Sequence, residues 1–119
     1  MDKSHSKSQR KAVLDSLLLE TSGVVAGKMF GHPAYYINRK LFACIYGSGV
    51  GVKVPEELAN QLLSRKQVAP FQPEGKPKMK EWIQINRPRP ADYKKDSGIF
   101  QASIDFVKHL YKADGKSKQ

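Results

Sequence analysis

The sequence predicts an α+β fold, an antiparallel sheet of five or six strands with three helices, and three patterns carry that prediction. Val50, Val52 and Val54 alternate with Gly51 and Lys53, the period of two that puts every other side chain on one face of a strand. Val13, Leu14, Leu17 and Leu18 recur at the spacing of a helical stripe, and Leu58, Ala59, Leu62 and Leu63 repeat it. Short turn-forming pairs separate the remaining apolar runs, as hairpins require. A chain of 119 residues is one domain with one core, and a composition of 39% hydrophobic and 27% charged residues excludes wholesale disorder.

The first helix is expected over residues 8–20, with Ser8 as N-cap and Gly23 as the stop. Residues 24–30 read as a strand ended by Gly31, His32 and Pro33, and residues 34–37, with β-favouring Tyr35, Tyr36 and Ile37, as the next. Asn38 and Arg39 form the turn into residues 41–46, apolar throughout, as a central strand covered on both faces would be. Gly47, Ser48 and Gly49 turn the chain into residues 50–54, which complete a meander with one wet face. Pro55 suits the start of a helix, and Glu56 and Glu57 complement the positive end of its dipole. Pro70, Pro73, Gly75 and Pro77 make residues 65–78 a loop with a brief edge strand near 68–71. Residues 79–85 read as the last strand, Met79, Glu81, Ile83 and Ile85 on one side, Lys80, Trp82 and Gln84 on the other. Two X-Pro bonds extend residues 86–90, and Ile99, Phe106, Val107, Leu110 and Tyr111 mark a final helix capped by Asp96 or Ser97. Residues 1–8 and 113–119, polar and lysine-rich, are expected to be disordered tails around a single domain at 9–112.

Charge narrows the function classes. The chain carries 21 Lys and Arg against 11 Asp and Glu, a net +10, half of it near the termini. Within the domain, residues 76–95 hold seven cations, Lys76, Lys78, Lys80, Arg87, Arg89, Lys94 and Lys95, against Glu81 and Asp92, a net +5. A stripe of this kind is the footprint of a polyanion site, although solubility alone also selects for net charge. Lys78, Lys80, Arg87, Arg89, Lys94 and Lys95 are therefore the candidate nucleic-acid contacts. Trp82, Tyr35, Tyr36, Phe71 and Phe100 are candidate stacking partners for bases, weighed against core packing.

Catalytic chemistry finds little to work with. His32, between Gly31 and Pro33, is an acid/base candidate whose simpler reading is a turn residue with a solvated ring. His109 suits the last turns of a helix, where a positive ring is favourable. Cys44, the one cysteine, sits in an apolar strand that supplies no base and reads as a small buried hydrophobe, which excludes a disulfide framework and a multi-cysteine metal site. Gly47, Gly49 and Gly51 precede a strand, so they make a hairpin and not a phosphate cradle. Pro70-x-x-Pro73 and Arg87-Pro88-Arg89-Pro90 are read as loops before they are read as partner motifs. No catalytic residue, cofactor or metal ligand is assigned. With no leader or spanning segment in the sequence, a cytoplasmic location is expected.

An ordered set of short motifs adds a family. Met29-Phe30-Gly31 after a helix, an aromatic strand at 35–37, a two-residue turn, Leu41-Phe42-Ala43, Val52-Lys53-Val54 and Glu56-Glu57-Leu58 are followed by Phe71, Met79 and Trp82. In that order they resemble the N-terminal domain of the TfoX/Sxy family, with Asn38-Arg39 standing where many members have a glycine in the turn. The resemblance covers nearly the whole domain. It implies a two-layer arrangement with the helices mainly on one face of the sheet, similar to YjbR-like and secretion-chaperone-like domains. The expectation is a stand-alone version, without the second, C-terminal domain of the family's competence regulators. It would be a non-enzymatic binding or regulatory module acting through an unknown protein partner, with homodimer pairing as one form. Direct nucleic-acid binding through residues 76–95 is the alternative.

Overall fold

A computed structural model describes residues 3–72 and 79–117, with side chains at 9–72 and 79–110. Its sheet begins as a meander of β1 (Val24–Met29), β2 (His32–Ile37), β3 (Lys40–Tyr46) and β4 (Gly49–Lys53). Beyond the meander come β5 (Val68–Pro70) and β6 (Trp82–Ile85), in the spatial order β1-β2-β3-β4-β6-β5, and every neighbouring pair is antiparallel. β6 therefore lies inside the sheet and the three-residue β5 forms the far edge.

Left-handed backbone makes the first two turns. Asn38 (φ 51°) and Arg39 (φ 66°) turn β2 into β3, and Phe30 (φ 50°) and Gly31 (φ 80°) turn β1 into β2. Two successive residues at positive φ match the right-handed twist of the flanking strands, which is why such turns favour Asn and Gly. Between β2 and β3, Tyr35 lies opposite Ala43 while Tyr36 lies opposite Leu41, so Phe42 is the extra residue of a β-bulge. The bulge turns both Phe42 and Ala43 to the helical side. Its carbonyl accepts a hydrogen bond from the buried Ser103 hydroxyl, 3.3 Å away on the last helix.

All the described helices lie on one face of the sheet, which makes the α+β fold two-layered. From α1 (Lys3–Leu18) come Leu14 and Leu18, from α2 (Glu56–Leu62) Ala59 and Leu62, and from α3 (Ser97–Ser117) Phe100, Ile104 and Val107. They close over Tyr35, Ile37, Phe42, Ile45, Val50, Val52, Ile83 and Ile85. A 3-10 helix, Pro90–Asp96, was not apparent in the sequence; it packs against α1 and buries Tyr93. Helices α1 and α3 extend beyond the spans expected of them, from Lys3 and to Ser117, and neither added stretch contains a proline to stop it. His109 is consequently not in a last turn; its Nδ1 lies 3.1 Å from the Asp105 carbonyl oxygen. No helix among the described residues is long and apolar enough to cross a membrane.

The opposite face corrects the expectation of a wet side on β4. Residues Gly49–Val52 are all buried: Val50 and Val52 face the helices, Gly49 lies under Gln84 and Asn86, and Gly51 lies under Phe71, which folds back over the sheet and joins Ala34 and Cys44 in a second small core. A Cβ at Gly51 would lie 2.7 Å from the Phe71 ring, so only glycine lets that ring sit down on the strand. Burial pushes the Cys44 thiol up to about 12, against a weaker pull from a backbone hydrogen bond at Gly51. His32 is not the solvated turn residue expected. It opens β2 opposite Met29, beyond the stretch of β2 that pairs with β3, where Pro33 also fits, and its ring stands edge-on to Tyr46 at 4.9 Å.

Candidate functional site

The fold divides the basic segment. Lys78 lies outside the described residues. Lys80 is exposed in the turn before β6 and lines a shallow cleft with Glu56, Asn60, Leu63, Met79 and Trp82. Arg87, at the other end of β6, is tied into the protein: its Nη2 and Nε donate to the two carboxylate oxygens of Asp96 at 2.7 and 3.0 Å. The Asp96 side chain is 2% exposed and that of Arg87 15%. This two-pronged geometry is the strong form of a charged hydrogen bond, and it raises the Arg87 pKa further. The Arg87 backbone N–H also donates to the Tyr93 hydroxyl, which donates in turn to the Ile85 carbonyl at 2.9 Å. Asp96, read as a helix cap, is instead the buried counter-ion of Arg87, and Tyr93, unremarked in the sequence, is the pin beneath the pair.

Arg89 and Lys95 flank Asp92 at the 3-10 segment, and Lys94 is exposed next to Lys95 in the chain. Arg89 is 84% exposed and 3.9 Å from Asp92, which also lies 3.8 Å from Lys95. Contacts of that length between exposed groups hold little energy. The segment therefore presents three exposed cations, two of them beside the Asp92 carboxylate, with Lys80 at the opposite end of β6 and Arg87 withdrawn.

Of the five aromatic candidates, Tyr35 and Phe100 belong to the helix-side core. The Tyr35 hydroxyl donates to Asp15 at 2.6 Å, and both burial and that carboxylate raise its pKa. Tyr36 donates to the Lys28 carbonyl. Phe71 and Trp82 lie on the other face, where a row of rings runs from His32 to Tyr46 at 4.9 Å, from Tyr46 to Phe71 at 5.8 Å and from Phe71 to Trp82 at 5.2 Å. The Lys53 ammonium stands 5.8 Å from the centre of the indole. Among the described residues, no three His, Cys, Asp or Glu side chains are grouped to hold a metal.

A different surface stands out at the sheet's other edge. β1 pairs with β2 without a break over six residues, and no described strand pairs with its outer side. It is exposed through its middle, Val25 by 60%, and the turn that follows carries Phe30, 65% exposed. A left-handed backbone costs a side-chain-bearing residue about 1–2 kcal/mol, and a ring so exposed recovers little of that through burial. The sequence predicts a strand ending at Phe30, with Gly31, His32 and Pro33 as its stop; in the structure the turn is Phe30-Gly31, and His32 and Pro33 already belong to β2. The Phe30 side-chain type argues against the left-handed conformation it holds.

Compared with known proteins, the chain matches no family model, no curated protein and no solved structure.

Proposed function

We propose that this chain is a small non-enzymatic binding and regulatory module, resembling the TfoX/Sxy N-terminal domain, that acts through protein contacts at the β1 edge. The observation that carries the reading is Phe30, a strained and exposed aromatic beside a six-residue strand whose outer side no described strand covers. Backbone strain persists where function maintains it. An open edge offers N–H and C=O groups to an incoming extended segment, while alternate side chains such as Val25 select it.

The occupant proposed is an acidic extended segment of another protein. At +10 per chain, two copies would approach against like-charge repulsion, whereas an acidic partner is drawn in. The test is capture from native extract by the wild-type protein and by a Val25→Lys/Phe30→Asn variant. A protein held by the wild type, released by raised salt and not held by the folded variant supports the reading. Self-association abolished by the same substitutions replaces the partner with a second copy. Nucleic acid retained in place of protein, and lost on changing Arg89, Lys94 and Lys95, favours the basic segment.

A further inference from the structure

At the end of the sheet away from the β3–β4 turn, four elements enclose a cleft of about 340 Å³. Lys40 and Leu41 come from the start of β3, Lys53 from the end of β4, Trp82 from the start of β6, and Val107 and Leu110 from α3. The antiparallel register brings them together, with Lys53 directly opposite Trp82. We propose that this cleft binds a small planar anion, an aromatic ring carrying a phosphate or carboxylate group.

The lining divides into two chemistries that such a ligand combines. Leu41, Val107, Leu110 and the indole form apolar walls suited to a ring, and the volume falls at the small end of ligand sites. The two charged side chains of the described lining are both lysines. Lys40 is exposed and has no ion-pair partner among the described residues. Lys53 lies 3.4 Å from the carboxylate of Glu81, a partly exposed pair loose enough for a second anion to share the ammonium.

The aromatic wall is already in position. Phe71 stacks on the indole at 5.2 Å with 28° between the planes, and Phe71 is itself buried and seated on Gly51. A ligand therefore meets a ring that need not be ordered on binding, which lowers the entropic cost. Phe71 and Tyr46 behind it meet edge to face at 85°, so the row does not lie open to successive bases, and one ring's worth of ligand is the better fit. The cleft shares no residue with the β1 edge.

Trp82 is the chain's one tryptophan and also borders the Lys80 cleft, so its fluorescence reports the indole and the Lys40 and Lys53 variants assign the signal to this cleft. The experiment titrates the full chain with adenosine 5′-monophosphate and phenyl phosphate, and with adenosine and inorganic phosphate as half-ligands. Saturable quenching by both aromatic anions at or below about 1 mM is expected, with the half-ligands weaker by about tenfold or more. Lys40→Met and Lys53→Met should each weaken the aromatic anions by about tenfold, the value of one charge-assisted hydrogen bond, without moving the melting temperature. Adenosine as effective as its phosphate, unchanged affinity in both lysine variants, or no saturable quenching would overturn the proposal. So would a short thymidylate oligonucleotide binding more than about tenfold tighter than the mononucleotide, which would make the surface a nucleic-acid groove.

Discussion

One edge of the sheet, β5, is three residues long and ends in Pro70, while the other, β1, runs six residues with exposed Val25 and the protruding Phe30. Short length and proline are two of the devices that blunt an edge. The β5 side is also locked from both flanks, by Phe71 pressed on Gly51 and by Arg87, Asp96 and Tyr93 beyond β6. On the β1 side, backbone strain is left standing at Phe30 and at Arg39. The difference separates a flank selected for stability from one that tolerates a cost in stability.

The largest test of that contrast falls on the locked flank. Arg87→Ala leaves the Asp96 carboxylate buried and unpaired and should destabilise by about 3–5 kcal/mol in chemical denaturation. Arg89→Ala, two residues on and solvated, should change stability by less than about 0.5 kcal/mol. Equal effects would dissolve the distinction between them. Gly51→Ala forces the Phe71 ring off the strand, and about 1–3 kcal/mol should be lost, with increased exposure of Trp82 to quenchers.

On the open flank the sign reverses. Phe30→Asn and Arg39→Gly keep the left-handed turns with residues suited to them, and each should raise stability by about 1 kcal/mol, Phe30→Asn at the expense of partner binding. A destabilised Phe30→Asn would show that the ring supports the fold. The smallest effect concerns Asp15. Burial pushes its pKa up, but hydrogen bonds from Lys11 and Tyr35 outweigh this and hold it below 3.8. Because the folded form binds the proton less well, that stabilisation is present above the unfolded pKa and lost as the pH falls below about 4. Partial exposure keeps it under about 1 kcal/mol, and Asp15→Asn should flatten the acid limb of the stability curve by that amount.

The sequence carried the strands and helices where local pattern and tertiary need agree. The strand read at 50–54 lies within a residue of its place, at Gly49–Lys53, and the Pro70 edge and the Asn38-Arg39 turn lie where they are expected. What it withheld depends on residues far apart in the chain. The face of β4 is dry because Phe71 returns to it, and the bulge at Phe42 exists against Ser103. The α3 stripe is centred on Phe100, Ser103, Ile104 and Val107, with Phe106 only half-buried. In the basic segment, composition located the cations but not their environment. Arg87 and Arg89 are indistinguishable as letters, and only the position of Asp96 separates a buried pair from a solvated side chain.

The packing of α1 against the 3-10 helix at Pro90–Asp96 has a consequence for how the chain is made. Leu14 and Leu18 are synthesised about seventy residues before the 3-10 helix against which α1 packs. The β1–β4 hairpins join near neighbours in sequence and can assemble during elongation. Throughout that interval the apolar stripe of α1 lacks part of its seat. A nascent chain arrested before residue 90 should therefore present that stripe to chaperones, and extension through residue 110 should convert it to a protease-resistant fold in one step.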